Sequence, residues 1–292
     1  MRVAIFGKSF TKDARPFVKS LYEELSQNKA EIKIYKRLNR FLEENCDLSL
    51  ALETFSDHNE LVEFAPDCLI TLGGDGTILD AATLVRDSGI PILGVNIGRL
   101  GFLSNVSKEQ LQEAVQAVAQ GNYTVEERNV VELNTSAFDL DLNFALNEVT
   151  VSRKDTTAMV SVHVWINDKF LNTYWADGLI IATPTGSTGY SLSCGGPIIM
   201  PGSDSFVITP IAPHNLNVRP FVIPNSYKIK LKVESRERQF LVSLDSRIYS
   251  VENGSELEVE LGSFTIKMIK THVQNFAETL RNKLLWGLDK RN

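Results

Sequence analysis

The sequence predicts an α/β N-terminal domain with a doubly wound, mostly parallel sheet, followed by an all-β C-terminal domain. Three observations lead there. Strand-like and helix-like patterns alternate through the first part of the chain, the hydrophobic period changes from near four to two at about Tyr123, and 292 residues suffice for two cores. The expected boundaries are 1–122 for the α/β domain, 123–271 for the β-rich domain, and 272–292 for a closing helix that packs back on the first.

Val3 to Phe6 is a short apolar strand, and the helix after it carries Val18, Leu21 and Leu25 on one face. A second strand, IKIYK, starts at Ile32. A third, CLITL from Cys68, is bounded by Pro66 and Gly73. Thr77 to Asp87 then reads as a helix stopped by Gly89 and Pro91, with the strand ILGV from Ile92 behind it. Ser107 and Gln110 form a capping-box pattern ahead of a helix that buries Leu111, Ala114, Val115 and Val118 and stops at Gly121. Strand, helix, strand and helix in succession argue a parallel sheet wound on both faces.

Past Tyr123 the alternation is strand-like. Val160, Val162, Val164 and Ile166 alternate with Ser161, His163 and Trp165, and Asn167–Asp168 supplies a turn into the next strand. Ile229, Leu231 and Val233 alternate with three lysines. Leu257, Val259 and Leu261 follow an Asn253–Gly254 turn and are expected to face one way. Such strands form an antiparallel sheet with one buried face. Beyond Val273, Phe276, Leu280 and Leu284 mark the closing helix.

A formal charge of −6 leaves no electrostatic footprint for nucleic acid or an anionic membrane, so neither is expected as a partner. The start, MRVAIFGKSF, is too short an apolar run for a signal peptide, and no run approaches spanning length. Cys46, Cys68 and Cys194 are odd in number and form no CxxC pair, which fits small buried residues in a reducing cytoplasm. The stripe Lys228, Lys230 and Lys232 reads as a solvated strand face, and His163 and Trp165 as surface or second-sheet packing. His58 and His272 lie outside any metal-ligand spacing, so no protein metal site is expected. No GxSxG elbow marks a hydrolase.

Two segments resist such readings. LITLGGDGTILD, from Leu69 to Asp80, is a strand, a glycine turn and a helix start, the layout that cradles a phosphate on backbone N–H groups. Yet its centre is Asp75. Two unit charges about 4 Å apart repel by roughly 4 kcal/mol at an effective dielectric near 20, so an Asp beside a phosphate needs a reason. The second segment, WADGLIIATPTGSTGYSLSCGGPI from Trp175, runs from a buried strand into a loop crowded with small hydroxyl residues and glycines. These permit close approach of a ligand and provide donors without bulk.

Together with the Asn147–Glu148 pair in FALNEVTV, NIGRLGFL from Asn96 and the SLDS segment around Asp245, these motifs resemble the NAD kinase family over most of the chain. GGDGT alone is less specific, since lipid kinases carry a similar turn and phosphofructokinases a distant variant. The TPTGST loop and the Asn–Glu pair separate them. The resemblance implies an α/β domain and a β-rich domain with the active site between them. It implies transfer of the ATP γ-phosphoryl, with Mg²⁺ or another divalent metal, to the 2′-hydroxyl on the adenosine ribose of NAD. A ribose hydroxyl is a poor nucleophile, so Asp75 would orient it and accept its proton; a water-mediated metal ligand is equally compatible with that residue.

The other roles come from matching motifs. Gly73 and Thr77, with Arg99, fall on the nucleotide side, and Gly74 and Gly76 beside the substrate. Asn147 and Glu148 match the pair that holds the adenosine part of NAD, and Thr185, Thr188, Gly189 and Tyr190 the loop lining that pocket. Asp177 matches an acidic residue on the nicotinamide half, often across a subunit boundary, which implies a homo-oligomer (dimer or tetramer). Asp245 matches a further acidic position. Gly189, Arg99 and Ser246 stand where many members have Ala, His and Gly, and the last two put the nicotinamide and phosphate contacts in question. A lipid kinase would need an apolar cleft and no hydroxyl-rich loop after Thr183, and a non-catalytic nucleotide sensor would need no carboxylate at Asp75.

Overall fold

A computed structural model describes residues 1–10, 14–98, 101–104, 106–155, 158–271 and 276–285. The chain divides into two compact units, Met1–Glu127 with Ile266–Asn292, and Arg128–Thr265.

In the first unit, strands and helices alternate: β1 (Arg2–Phe6), α1 (Arg15–Gln27), β2 (Glu31–Tyr35), α2 (Lys36–Cys46), β3 (Glu53–Phe55), α3 (His58–Phe64), β4 (Cys68–Leu72), α4 (Asp75–Val85), β5 (Ile92–Val95) and α5 (Leu111–Gln120). The strands pair in parallel in the order β3-β2-β1-β4-β5. Parallel strands covered on both faces read as unbroken apolar runs, and Val3 to Phe6 and Cys68 to Leu72 are buried throughout. Helix α1 buries Phe17, Val18, Leu21 and Leu25 along one stripe. The strand order reverses between β1 and β4, so the loops after these two strands flank the crevice where such sheets bind ligands. Those loops carry Gly7–Lys8 and Gly73–Gly76.

The second unit is built from β6 (Thr124–Asn134), which starts in the first, β7 (Phe144–Ala145), β8 (Glu148–Arg153), β9 (Val160–Ile166), β10 (Lys169–Ala176), β11 (Gly178–Ala182), the single turn α6 (Tyr190–Ser193), β12 (Ser205–Ile211), β13 (Phe221–Pro224), β14 (Ile229–Ser235), β15 (Gln239–Leu244), β16 (Arg247–Glu252) and the start of β17 (Glu256–Lys270). One sheet runs β10-β9-β14-β17, with β6 beside β17 and β7 beside β6; the other runs β13-β12-β11-β8-β15-β16. The inner positions of both, among them Val162, Val164, Ile229, Leu231, Val149, Val151, Leu179, Phe206 and Phe240, form one core. Asn167 and Asp168 both take positive φ, as a two-residue hairpin turn demands.

Lys228 and Lys230 pair with Glu258, Glu260 and Glu256 on β17, so the lysine stripe is a charged outer face. Leu261 departs from expectation. Leu257 and Val259 are buried, but β14 pairs with β17 only as far as Val259, and Leu261 beyond it is exposed. Cys194 also differs from Cys46 and Cys68, being partly exposed. The last third of β17 belongs to the first unit, where Met268 lies opposite Ile92, and α7 (Phe276–Leu284) follows with Leu280 buried. No helix among the described residues is long and apolar enough to cross a membrane.

Candidate active site

The glycine turn sits where β4 ends and α4 begins. Gly73 has φ +155, and a β-carbon there would collide with the Thr77 side chain, so only glycine makes this turn. Gly74 is the N-cap, and Asp75 the first helical residue, two residues earlier than the expected start at Thr77. Beside Gly74 and Gly76 a β-carbon would meet nothing within 4 Å, which leaves open space for a ligand.

The Asp75 carboxylate is gripped from another part of the same unit. Its Oδ1 accepts hydrogen bonds from Leu103 N (3.0 Å), Ser104 N (3.0 Å) and Ser104 Oγ (3.1 Å), and its Oδ2 from Phe102 N (2.8 Å). Converging backbone N–H groups make an anion-binding nest, and the N-terminal end of α4 favours a negative charge there as well. These dipoles converge on the Asp75 carboxylate beside the glycine turn. Lys283 Nζ on α7 lies 3.7 Å from Oδ2 and 4.6 Å from the centre of the Phe102 ring. At the switch point, Lys8 Nζ pairs with Asp80 Oδ2 at 2.7 Å.

A second cluster lies in the β-rich unit. Asp245, at the β15–β16 turn with φ +51, points its carboxylate back at the strand entering β8: Oδ2 accepts from Leu146 N (2.8 Å), and Oδ1 from Asn147 N (2.8 Å) and Glu148 N (3.1 Å). Asp245 thereby fixes the backbone on which Asn147 and Glu148 stand. The loop after β11 closes over them. Thr183 N donates to Asn147 O (2.8 Å), Thr183 Oγ1 to Leu146 O (2.7 Å), and Gly186 lies so near the Asn147 backbone that no β-carbon fits. A β-carbon on Gly189 would stand 3.1 Å from Glu148 Oε2 and 3.3 Å from Asn147 Nδ2.

Asn147 Oδ1 and Glu148 Oε2 are buried and without a hydrogen-bond partner among the described residues. Buried polar atoms are normally paired, so two orphans in one corner mark a place for a ligand. Burial, with the Asp245 charge beside it, pushes the Glu148 carboxyl up to about 8, while a backbone N–H from Tyr190 opposes the shift. Burial also raises Asp245, against the pull of its three backbone donors and of the Arg247 guanidinium. Three backbone donors and Arg247 support the charge on Asp245, against one backbone donor for Glu148, so the proton is better placed on Glu148.

The hydroxyl-rich loop is more ordered than its composition suggests. Gly186–Thr188 is a 3₁₀ turn followed by α6. Several hydroxyls serve the loop itself: Thr188 Oγ1 donates to Thr185 O, Ser187 Oγ to Pro184 O, and Thr185 Oγ1 accepts from Arg128 Nη1 (3.4 Å). Tyr190 is 46% exposed, at the loop's open side. Asp177, at the bend between β10 and β11, pairs with Arg153 Nη2 at 3.0 Å. Arg99 lies outside the described residues. Sequence reasoning missed Gly101, the N–H groups of Phe102 to Ser104, Lys8 and Lys283. For the first two the only signal was the NIGRLGFL segment, which gave no role; for Lys283 there was none.

Residues 3–123 match the family model described as the ATP-NAD kinase N-terminal domain, and residues 146–271 that of the ATP-NAD kinase C-terminal domain. An NAD kinase of Flavobacterium psychrophilum is 50% identical over 295 residues, covering 100% of both chains. The solved structure of an NAD kinase from Archaeoglobus fulgidus in complex with ATP has a TM-score of 0.74 and 28% identity, covering 97% of each chain. Yeast NADH kinase complexed with NADH has a TM-score of 0.88 at 24% identity, covering 99% of this chain and 88% of that one, a likeness of fold.

Proposed function

Because the chain belongs to the NAD kinase family, we propose that Asp75 is the general base of its phosphoryl transfer and that Asn147 and Glu148 hold the adenosine half of NAD. The reaction moves the γ-phosphoryl of ATP to the 2′-hydroxyl of the adenosine ribose of NAD, giving NADP and ADP. The observation that carries the binding role is the pair of buried orphans, Asn147 Oδ1 and Glu148 Oε2. An adenine or ribose group satisfies both, since a neutral Glu148 can donate as well as accept. Asp245 acts through the backbone it pins.

Asp75 answers the question its position raised. The nest compensates its charge, and Oδ2, with one backbone donor, is the oxygen with room for an incoming hydroxyl. Gly74 and Gly76 leave space for that group, while Gly73 and Thr77 shape the turn that receives the ATP phosphates. The described residues bring no three metal-binding side chains together, and the open glycine turn suits Mg²⁺ carried on ATP, because Mg²⁺ is usually held by substrate phosphates with few protein ligands. It would supply charge neutralisation there. Thr185, Thr188, Gly189 and Tyr190 line the adenosine pocket, and Asp177 serves the nicotinamide end in a homo-oligomer. The three free cysteines support a cytoplasmic setting.

The test is to incubate pure protein with Mg·ATP and NAD and separate the nucleotides. NADP is expected from the wild type, and Asp75→Asn is expected to lower kcat by about 10²–10⁴-fold with NAD still bound. A kcat within a few-fold of wild type would remove Asp75 from the base role.

A further inference from the structure

Lys283 stands at the one carboxylate oxygen that the nest leaves open. Asp75 Oδ1 already has three donors, whereas Oδ2 has only Phe102 N. On that side lies the Lys283 ammonium, at 3.7 Å. This is longer than the roughly 2.7–2.9 Å of a charge-assisted hydrogen bond, so the cation attracts the carboxylate without filling the site of the incoming hydroxyl. Its seat is defined by aromatic packing. The ammonium lies over the Phe102 ring at 4.6 Å, Phe276 at the start of α7 meets the same ring at 6.5 Å, and Phe102 is also the residue whose N–H binds Oδ2. The carboxylate, its nearest donor and the lysine are therefore held as one group within the first unit.

We propose that Lys283 is a further catalytic residue: its ammonium balances the Asp75 carboxylate in the free enzyme and passes to the transferring phosphoryl group during the reaction. The inference rests on the base role of Asp75. In the transfer, the 2′-O–H proton goes to Asp75 Oδ2, a lone pair of the ribose 2′-oxygen forms the new O–P bond, and the P–O bond to ADP breaks with its electron pair on ADP. The proton leaves to solvent with product release. Negative charge thus departs from Asp75 as it accumulates on the acceptor side of the phosphoryl group. The acceptor oxygen is within hydrogen-bond reach of Oδ2, and the phosphoryl oxygens are one bond further. A lysine has a flexible stem and three donors, which lets one ammonium follow the charge over that short path. Such an interaction is stronger in the transition state than in the ground state, so it acts on kcat.

The experiment compares Lys283→Met and Lys283→Arg with wild type and Asp75→Asn, using full-length protein, Mg·ATP and NAD. The Met variant is expected to lose about 10–10²-fold in kcat, with KM for NAD and for ATP within about threefold of wild type. Arg, which keeps the charge, is expected to return kcat to within about fivefold. Lys283→Gln replaces Met if the Met variant fails to show the wild-type circular dichroism and melting curve. The proposal is overturned if the neutral variant keeps kcat within twofold, if the loss is in KM, or if Arg is no better than Met. The Asp75→Asn arm separates the two readings: if it alone is inactive, Lys283 has no catalytic part, and if it stays active, the base role falls.

Discussion

Glu148 and Asp245 are two carboxyl groups in one corner of the β-rich unit; Asp245 accepts from three backbone donors, Glu148 from the Tyr190 N–H. Like charges in a buried site cannot both persist, so environments that differ this much assign the proton. Glu148, pushed up to about 8, enters the binding step neutral at pH 7. The sign of its pH dependence follows. As pH rises through about 8, Glu148 ionises, loses its donor hydrogen and places a second anion beside Asp245, so kcat/KM for NAD is expected to fall about tenfold between pH 7 and pH 9. Glu148→Gln is a neutral isostere and should be flat over that range. Folding obeys the same sign: a raised acid contributes stability below its unfolded value near 4.3, and that contribution is lost as pH climbs to about 8. Melting temperature of the wild type relative to Glu148→Gln should drop across that window. If the Gln variant shows the same alkaline decline in kcat/KM, another group titrates.

Between elements, the crossing that matters in the first unit is the loop 101–104 against the start of α4. Three successive N–H groups from Phe102 to Ser104 converge on Asp75, and Gly101 makes the approach possible. A β-carbon on Gly101 would fall on the Asp75 carboxylate and against Ser104 Oγ. Gly101→Ala must therefore displace either the loop or the Asp75 carboxylate. It is expected to lower kcat by about 10²-fold or more, the lower end of general-base loss, while KM for NAD changes little because the Asn147 cluster is untouched. A variant with wild-type kcat would show that the nest does not set the base.

How far these elements could be read depends on what marks their ends. β1, β4, α4 and α5 carry glycine stops or apolar runs, and the hairpin at Asn167–Asp168 carries its turn chemistry. Helices α2 and α3 and the short strand β3 went unread. Helix α2 starts directly after β2, with Tyr35 as N-cap and no side-chain cap, and its buried residues Leu38, Leu42 and Cys46 are spaced thinly among charges. Nothing local announces it. The same holds at the site. Asp75, Asn147 and Glu148 stand in compact motifs, whereas the use of Gly101 and Lys283 depends on contacts between residues far apart in the chain.

At the scale of the molecule, the two units differ in surface as well as fold. Of thirteen exposed large hydrophobic side chains among the described residues, ten belong to the second unit, including Phe170 (59%), Trp175 (43%) and Met200 (58%). Apolar side chains exposed mainly on one unit point to association through it, and a closed symmetric oligomer is the common outcome. Trp175, two residues before Asp177, meets the His214 ring at 4.4 Å with the two planes tilted by 50°, so the acidic residue of the proposed nicotinamide end lies close in sequence to an exposed aromatic. If that end is completed by a neighbouring chain, Asp75→Asn and Asp177→Ala damage different halves of a shared site. Each variant alone should be weak or inactive. Mixed in equal amounts and allowed to exchange, half the dimers carry both variants, and in each of these one site has both aspartates intact, so activity should recover to roughly a quarter of wild type. Native mass spectrometry would establish that exchange has occurred. Activity that then stays at the level of the separate variants would place Asp177 in the service of its own chain, as would a wild-type monomer with full kcat.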